Sequence, residues 1–155
     1  MTALRTIYRY WLTLVWLAVV VQITFAAYGG FYAADKLGDQ KGSDETKMIS
    51  EKVYDHGFGL HNALGYLIFL GSVVLLLLAL GARVGRRRIL LSLAVVAAVA
   101  LQIVLAWISE AVHGFGFLHG LNALVLFGLT GSMTGMAWRR HRAGEEAAAP
   151  ASAPA

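Results

Sequence analysis

His113-Gly114-Phe115-Gly116-Phe117-Leu118-His119-Gly120-Leu121-Asn122-Ala123-Leu124 has an echo earlier in the chain, His56-Gly57-Phe58-Gly59-Leu60-His61-Asn62-Ala63-Leu64. Four of the five histidines fall in these two segments, and each segment opens a long apolar run. The two runs, with two others like them, decide the fold. They are too long and too free of charge for the core helices of a small water-soluble domain.

Working outward, 10–31, 60–82, 89–108 and 118–138 are apolar stretches of about 20 residues, the length that crosses a ~30 Å hydrocarbon core at ~1.5 Å per residue. The whole chain of 155 residues is 58% apolar and only 14% charged, with a mean hydropathy of +0.64. A secretory leader is the rival reading of the first stretch. The run is long for one, and Ala26-Ala27-Tyr28 is a weak cleavage signal, so it is read as a retained helix. Cysteine is absent, which excludes disulfides, thiolate ligands, iron–sulfur clusters and covalently attached c-type haem.

Between the spans, 32–59 reads as a polar, solvated loop, 83–88 as a tight basic turn and 109–117 as a short connection. All nine arginines fall on one side of a four-span arrangement, whereas the other side has four lysines outnumbered by six acids in the first loop. Basic residues beside spans mark the cytoplasmic face. The sequence therefore predicts a multi-pass protein of the inner (plasma) membrane of a bacterium, with both termini cytoplasmic and both histidine segments at the outer face. The net charge of +4 is a topology signal, with anionic-lipid contact as its by-product, and calls for no nucleic acid.

Short internal matches sharpen the architecture. Ala18-Val19-Val20-Val21-Gln22-Ile23 pairs with Ala98-Val99-Ala100-Leu101-Gln102-Ile103 at an offset of 80, and Asn62-Ala63-Leu64 and Gly71-Ser72 recur at an offset of 60. The expected fold is an all-α membrane protein: a four-transmembrane-helix bundle, residues 1–142, built from two tandem helix hairpins. Residues 143–155, rich in Ala, Pro and Glu, read as a disordered cytoplasmic tail.

Imidazoles at equivalent ends of two non-adjacent helices mark a candidate site, because easily charged side chains near a span are costly. In a four-helix bundle a haem fits between facing helices, with a neutral imidazole on each side of the iron. His61 and His119 form the best facing pair. Gly65 and Ala123 lie four positions further on, on the same helix face, and leave room for a flat macrocycle. His56 and His113 lie further out, where the glycines predict bent or frayed backbone, and suit contacts to the propionates or to a ligating ring. In the Asn-Ala-Leu register His61 and His119 are two residues out of step. A zinc or copper site of three or four imidazoles is the alternative. Phe58, Trp107, Phe115 and Phe117 are expected to shield the site, Glu110 to support an imidazole, and Gln22 and Gln102 to bond helix to helix.

Val21-Gln22-Ile23-Thr24-Phe25-Ala26-Ala27-Tyr28-Gly29-Gly30, His61-Asn62 and Leu118-His119-Gly120 resemble segments of one four-helix half of the haem A synthase family. The chain also looks like an uncharacterised family of small four-span bacterial membrane proteins. The first resemblance implies haem held between a second-helix and a fourth-helix histidine, here His61 and His119. That family has eight helices and two haem sites, and its acidic residue near the second-helix histidine is matched only loosely by Asp55 or Glu51. Complete haem A synthesis is therefore not expected of this chain alone, although a homodimer would restore eight helices. The reading of function is a b-type haem protein for electron transfer or haem handling. The alternatives are a non-redox accessory subunit or scaffold of a membrane complex, and a histidine-based metal or pH sensor.

Overall fold

The computed structural model describes residues 2–40 and 49–148. Four helices follow one another: α1 (Thr2–Gly38), α2 (Glu51–Gly81), α3 (Arg86–Ala111) and α4 (Phe115–Ala148). Each is long and apolar enough to cross a membrane; even α3, with 26 residues, reaches about 39 Å at ~1.5 Å per residue.

A seam of inward residues spaced alternately three and four apart runs along every helix: Tyr8, Leu12, Val15 and Val19 on α1, Ile68, Ser72, Leu75 and Ala79 on α2, Ser92, Val95 and Val99 on α3, and Leu126, Thr130 and Met133 on α4. That spacing keeps one face of a helix turned to its neighbours along its length. The remaining faces carry exposed Leu67, Leu70, Leu77, Leu90, Leu93 and Leu124. A helix apolar all round is stable only in lipid or deep inside a large protein. Polar seam residues are satisfied locally: Ser72 Oγ donates to Phe69 O and Thr130 Oγ1 to Leu126 O, both at 2.7 Å.

The helices form a ring in which α1 meets α2 and α4, and α3 meets α2 and α4, leaving α1/α3 and α2/α4 as diagonals. The Tyr8 hydroxyl and Ser92 Oγ, 3.3 Å apart, meet across the first diagonal. The start of α1 lies beside the α2–α3 turn, where Arg5 Nε donates to Ala82 O at 3.4 Å. It also lies beside the far part of α4, where Trp138 Nε1 donates to Thr13 Oγ1 at 3.0 Å. All nine arginines therefore cluster toward one end of the bundle.

Three sequence expectations are corrected. The polar loop predicted for 32–59 shrinks, because α1 continues to Gly38 and α2 starts at Glu51. Good helix formers at 33–37 prolong α1, and Ser50 caps α2 by accepting from the Val53 N–H at 3.3 Å. Of the loop's charged residues, Lys41, Asp44, Glu45 and Lys47 lie outside the described residues. Around His56 the backbone is not frayed. Gly57 sits in unbroken helix, buried against Gly29, and a Cβ on Gly29 would stand 2.8 Å from Gly57 O and 2.6 Å from the Phe58 ring. The glycines let α1 and α2 approach closely, the use of small residues common between membrane helices. Finally, α4 runs to Ala148, so the first part of the tail predicted to be disordered is helical, as its Ala and Glu content permits. Residues 149–155 lie outside the described residues.

The register between α2 and α4 also differs. Ile68 and Leu126, Ser72 and Thr130, and Leu75 and Met133 are matching buried pairs, an offset of 58 rather than 60. Ser132, the expected match of buried Ser72, is exposed. Between α1 and α3 the offset of 80 holds, with Val15 matching Val95 and Val19 matching Val99.

Candidate cofactor site

Continued toward the end away from the arginines, the four seams meet the chemistry. On α2 the steps run back from Ile68 through Gly65, His61, Phe58 and Tyr54; on α4 the step of seven below Leu126 is His119; on α1 and α3 the seams reach Gln22 and Gln102.

Each histidine is clasped by a glutamine of its partner helix. Gln22 Nε2 donates to His61 O at 2.7 Å, while His61 Nδ1 lies 3.1 Å from Gln22 O. Gln102 Nε2 donates to His119 O at 2.9 Å, and His119 Nδ1 lies 3.0 Å from Gln102 O. A carbonyl oxygen only accepts, so each Nδ1 must bear the proton. This fixes the tautomer and leaves Nε2 of each neutral ring with its lone pair free, the state of a metal-ligating histidine.

The clasps turn the two imidazoles toward one another across the α2/α4 diagonal. Their ring centroids are 6.2 Å apart, with 60° between the planes. At the matching offset of 58 His61 and His119 are equivalent, so the apparent two-residue mismatch of the sequence disappears.

A cavity of about 510 Å³ opens beside the rings between α2 and α3. Tyr54, Phe58, Gly65, Tyr66 and Trp107 line it, with Gln22, Gln102, His61 and His119 and, toward the solvent, Asn62, Ser109 and Glu110. The Phe58 ring stands edge-on to His61 at 6.4 Å and stacks obliquely on Tyr54 at 5.3 Å. The lining combines aromatic side chains with as many as seven polar ones, a mixture that can both cover and orient a small organic ligand.

The two clasps are not identical. Asn122 Nδ2 donates to Gln102 Oε1 at 2.6 Å and to Ala98 O at 2.9 Å. Its counterpart on α2 is Leu64, which has nothing to donate, and Gln22 Oε1 is buried with no hydrogen-bond partner.

Of the residues singled out in the sequence, His61, His119 and Gly65 are brought together. A Cβ on Gly65 would approach Gln22 Nε2 to 3.2 Å. Ala123 does not line the cavity. His56 is exposed and lies against Tyr32, centroids 4.8 Å apart; His113 is exposed in the α3–α4 turn. Neither reaches the cavity, nor do Phe115 and Phe117. Both Nδ1 atoms are held by backbone carbonyls, and Glu110 stands at the rim. Among the described residues no group of three or more His, Cys, Asp or Glu side chains converges. Tyr66 and Ser109 were not anticipated. For Tyr54 the signal was present, since 54, 58, 61 and 65 share one seam with the core positions 68, 72, 75 and 79.

No family model, curated protein or solved structure matches the chain. The fold and the site define a class instead: a protein of four apolar, membrane-length helices with two opposed, tautomer-fixed imidazoles beside a cavity near one end.

Proposed function

We propose that this chain is a membrane-embedded b-type haem protein with His61 and His119 as its axial pair, acting in electron transfer or haem handling at the outer face of a bacterial inner membrane. The observation that carries the reading is the opposition of two imidazoles 6.2 Å apart, each with Nδ1 tied to a backbone carbonyl and Nε2 free. The residues fit the group. The two rings, each with Nε2 free, face each other beside a cavity whose lining includes Tyr54, Phe58, Tyr66 and Trp107, and no cysteine competes for iron. When bound, haem supplies one-electron exchange at the iron. The glutamine clasps hold the imidazoles in one tautomer and orientation, Tyr54, Phe58 and Trp107 exclude water from one side, and Gly65 keeps the approach to the rings clear.

The matched burial of α1 with α3 and of α2 with α4 supports an origin as two tandem copies of one hairpin. The arginine end is the cytoplasmic one by the distribution of basic charge, which places both termini inside and the histidine pair toward the outside. The resemblance to half of haem A synthase points to the same pair.

An absorption spectrum of protein purified from haem-replete cells tests the proposal. A Soret band that shifts on reduction, lost in His61→Ala and in His119→Ala and kept in His56→Ala and His113→Ala, is expected. Colourless protein that takes up no added haem overturns it.

One observation favours a second reading, a scaffold or accessory subunit of a membrane complex. The glutamine–histidine clasps join α1 to α2 and α3 to α4 through protein groups alone. On that reading the doubly substituted His61→Ala/His119→Ala protein keeps its assembly partners as well as its fold.

A further inference from the structure

At the opposite end of the bundle a second cavity, of about 210 Å³, lies where the α2–α3 turn faces α1 and α4. Gly85, Arg86, Arg87 and Arg88 line it from one side, Tyr8 and Arg140 from the other. Three features of this basin are not explained by the need for basic residues beside a span, which any exposed position would satisfy.

The first is convergence. Three consecutive residues at the start of a helix and a fourth arginine from another helix border one small volume, and among the described residues no ion pair involves an arginine. Like charges brought together without a counterion repel, and the repulsion is strongest where water is scarce. Met133 and Leu91 floor the basin with apolar surface; Arg88 is half-buried against it, while Arg86, Arg87 and Arg140 reach solvent at its mouth.

The second is backbone. α3 is 26 residues long and begins at Gly85, which has φ of 98° and makes no side-chain capping bond. The first N–H groups of a helix have no acceptor within it. Here a glycine at the cap position leaves them unshielded by a side chain, beside the arginine-lined cavity. Free helix N–H groups and guanidinium forks are the two donors that proteins use most for phosphate.

The third is position. By the distribution of basic charge this end faces the cytoplasmic leaflet, where anionic headgroups concentrate and basic pockets between spans take them up.

We infer that this basin is a binding site for one phosphate-bearing anion, a phosphate mono- or diester, held by Arg86, Arg87, Arg88, Arg140 and the start of α3. Its source is either an anionic phospholipid of that leaflet or a soluble phosphate. The site is independent of haem.

Full-length protein in mild detergent, examined by native mass spectrometry with added phosphatidylglycerol, phosphatidylcholine or inorganic phosphate, tests the inference. The wild type should retain one phosphatidylglycerol at least tenfold better than phosphatidylcholine. Arg88→Gln/Arg140→Gln should lose that preference, while Arg139→Gln/Arg142→Gln, whose positions do not line the cavity, should keep it. Arg87→Gln/Arg140→Gln serves if the first pair fails to fold, with helix content measured by circular dichroism. Retention of inorganic phosphate with the same arginine dependence, and of no lipid, supports the site and assigns its source as soluble. Equal loss from the cavity pair and the outside pair, or no preference in the wild type, overturns it.

Discussion

His61 and His119 face one another with ring centroids 6.2 Å apart, although their helices occupy opposite corners of the bundle and have no backbone contact. Only their side chains bridge the diagonal. Each ring is held through Nδ1 by the backbone carbonyl of residue 22 or 102, while the glutamine side chains tie the helix backbones together at the same level.

Replacing a glutamine leaves the backbone carbonyl that holds each Nδ1 in place and removes only the side-chain bond to the histidine backbone, so the loss should appear as helix-to-helix stability. Gln102→Leu deletes a donor to His119 O and the acceptor for Asn122, whereas Gln22→Leu deletes only the donor to His61 O. Interhelical hydrogen bonds in membranes average ~0.6 and reach ~1.7 kcal/mol. Gln102→Leu should thus lower stability in detergent, read by chemical or thermal unfolding, by about 1–2 kcal/mol, and more than Gln22→Leu does. Equal losses would contradict the asymmetry of the clasps.

Asn122 and Asn62 should behave differently despite their identical Asn-Ala-Leu settings. Asn122→Leu strands Gln102 Oε1 as Leu64 already strands Gln22 Oε1, and an unsatisfied buried acceptor costs about 1–3 kcal/mol. Asn62, exposed on α2, should tolerate Ala within about 0.5 kcal/mol. Thermal unfolding of the two variants side by side checks the register of 58 directly.

The close crossing of α1 and α2 predicts opposite effects of alanine at neighbouring glycines. At Gly29 the new Cβ meets the Gly57 carbonyl, which cannot swing aside, and overpacking costs typically ~1–3 kcal/mol. At Gly30 a Cβ meets nothing within 4 Å, and relief of glycine's helix penalty should raise stability by about 0.5–1 kcal/mol. The sign of the difference in unfolding midpoint is the test.

Ligand removal supplies a check on the proposed haem. A ligand that binds only the folded state, present at 100 times its Kd, adds ~2.7 kcal/mol of stability. Stripping haem should lower the unfolding midpoint of the wild type and leave that of His61→Ala/His119→Ala unchanged. A midpoint insensitive to haem in both proteins counts against axial ligation by this pair.

Much of the molecule could be read from residues alone. Apolar runs of membrane length needed no tertiary information, because a chain that enters lipid must satisfy its backbone internally and the helix does so locally. The position of His61 and His119 on inward seams was also latent in the three- and four-residue spacing that joins them to Ile68 and Leu126. The register was not. Asn-Ala-Leu recurs at 60 in composition-biased apolar sequence, and short identities there do not reveal which side chains pack.

The sequence by itself determined the four apolar helices and the gathering of the arginines on one side of them, since both depend on local composition and periodicity. Only the tertiary structure decided that Gln22 and Gln102 clasp the two rings, that Gly29 and Gly57 form a close crossing and that the arginines of the α2–α3 turn and α4 border one cavity. Each of these joins residues far apart in the chain, and contact across a bundle is set by how whole helices pack rather than by any segment's own preference.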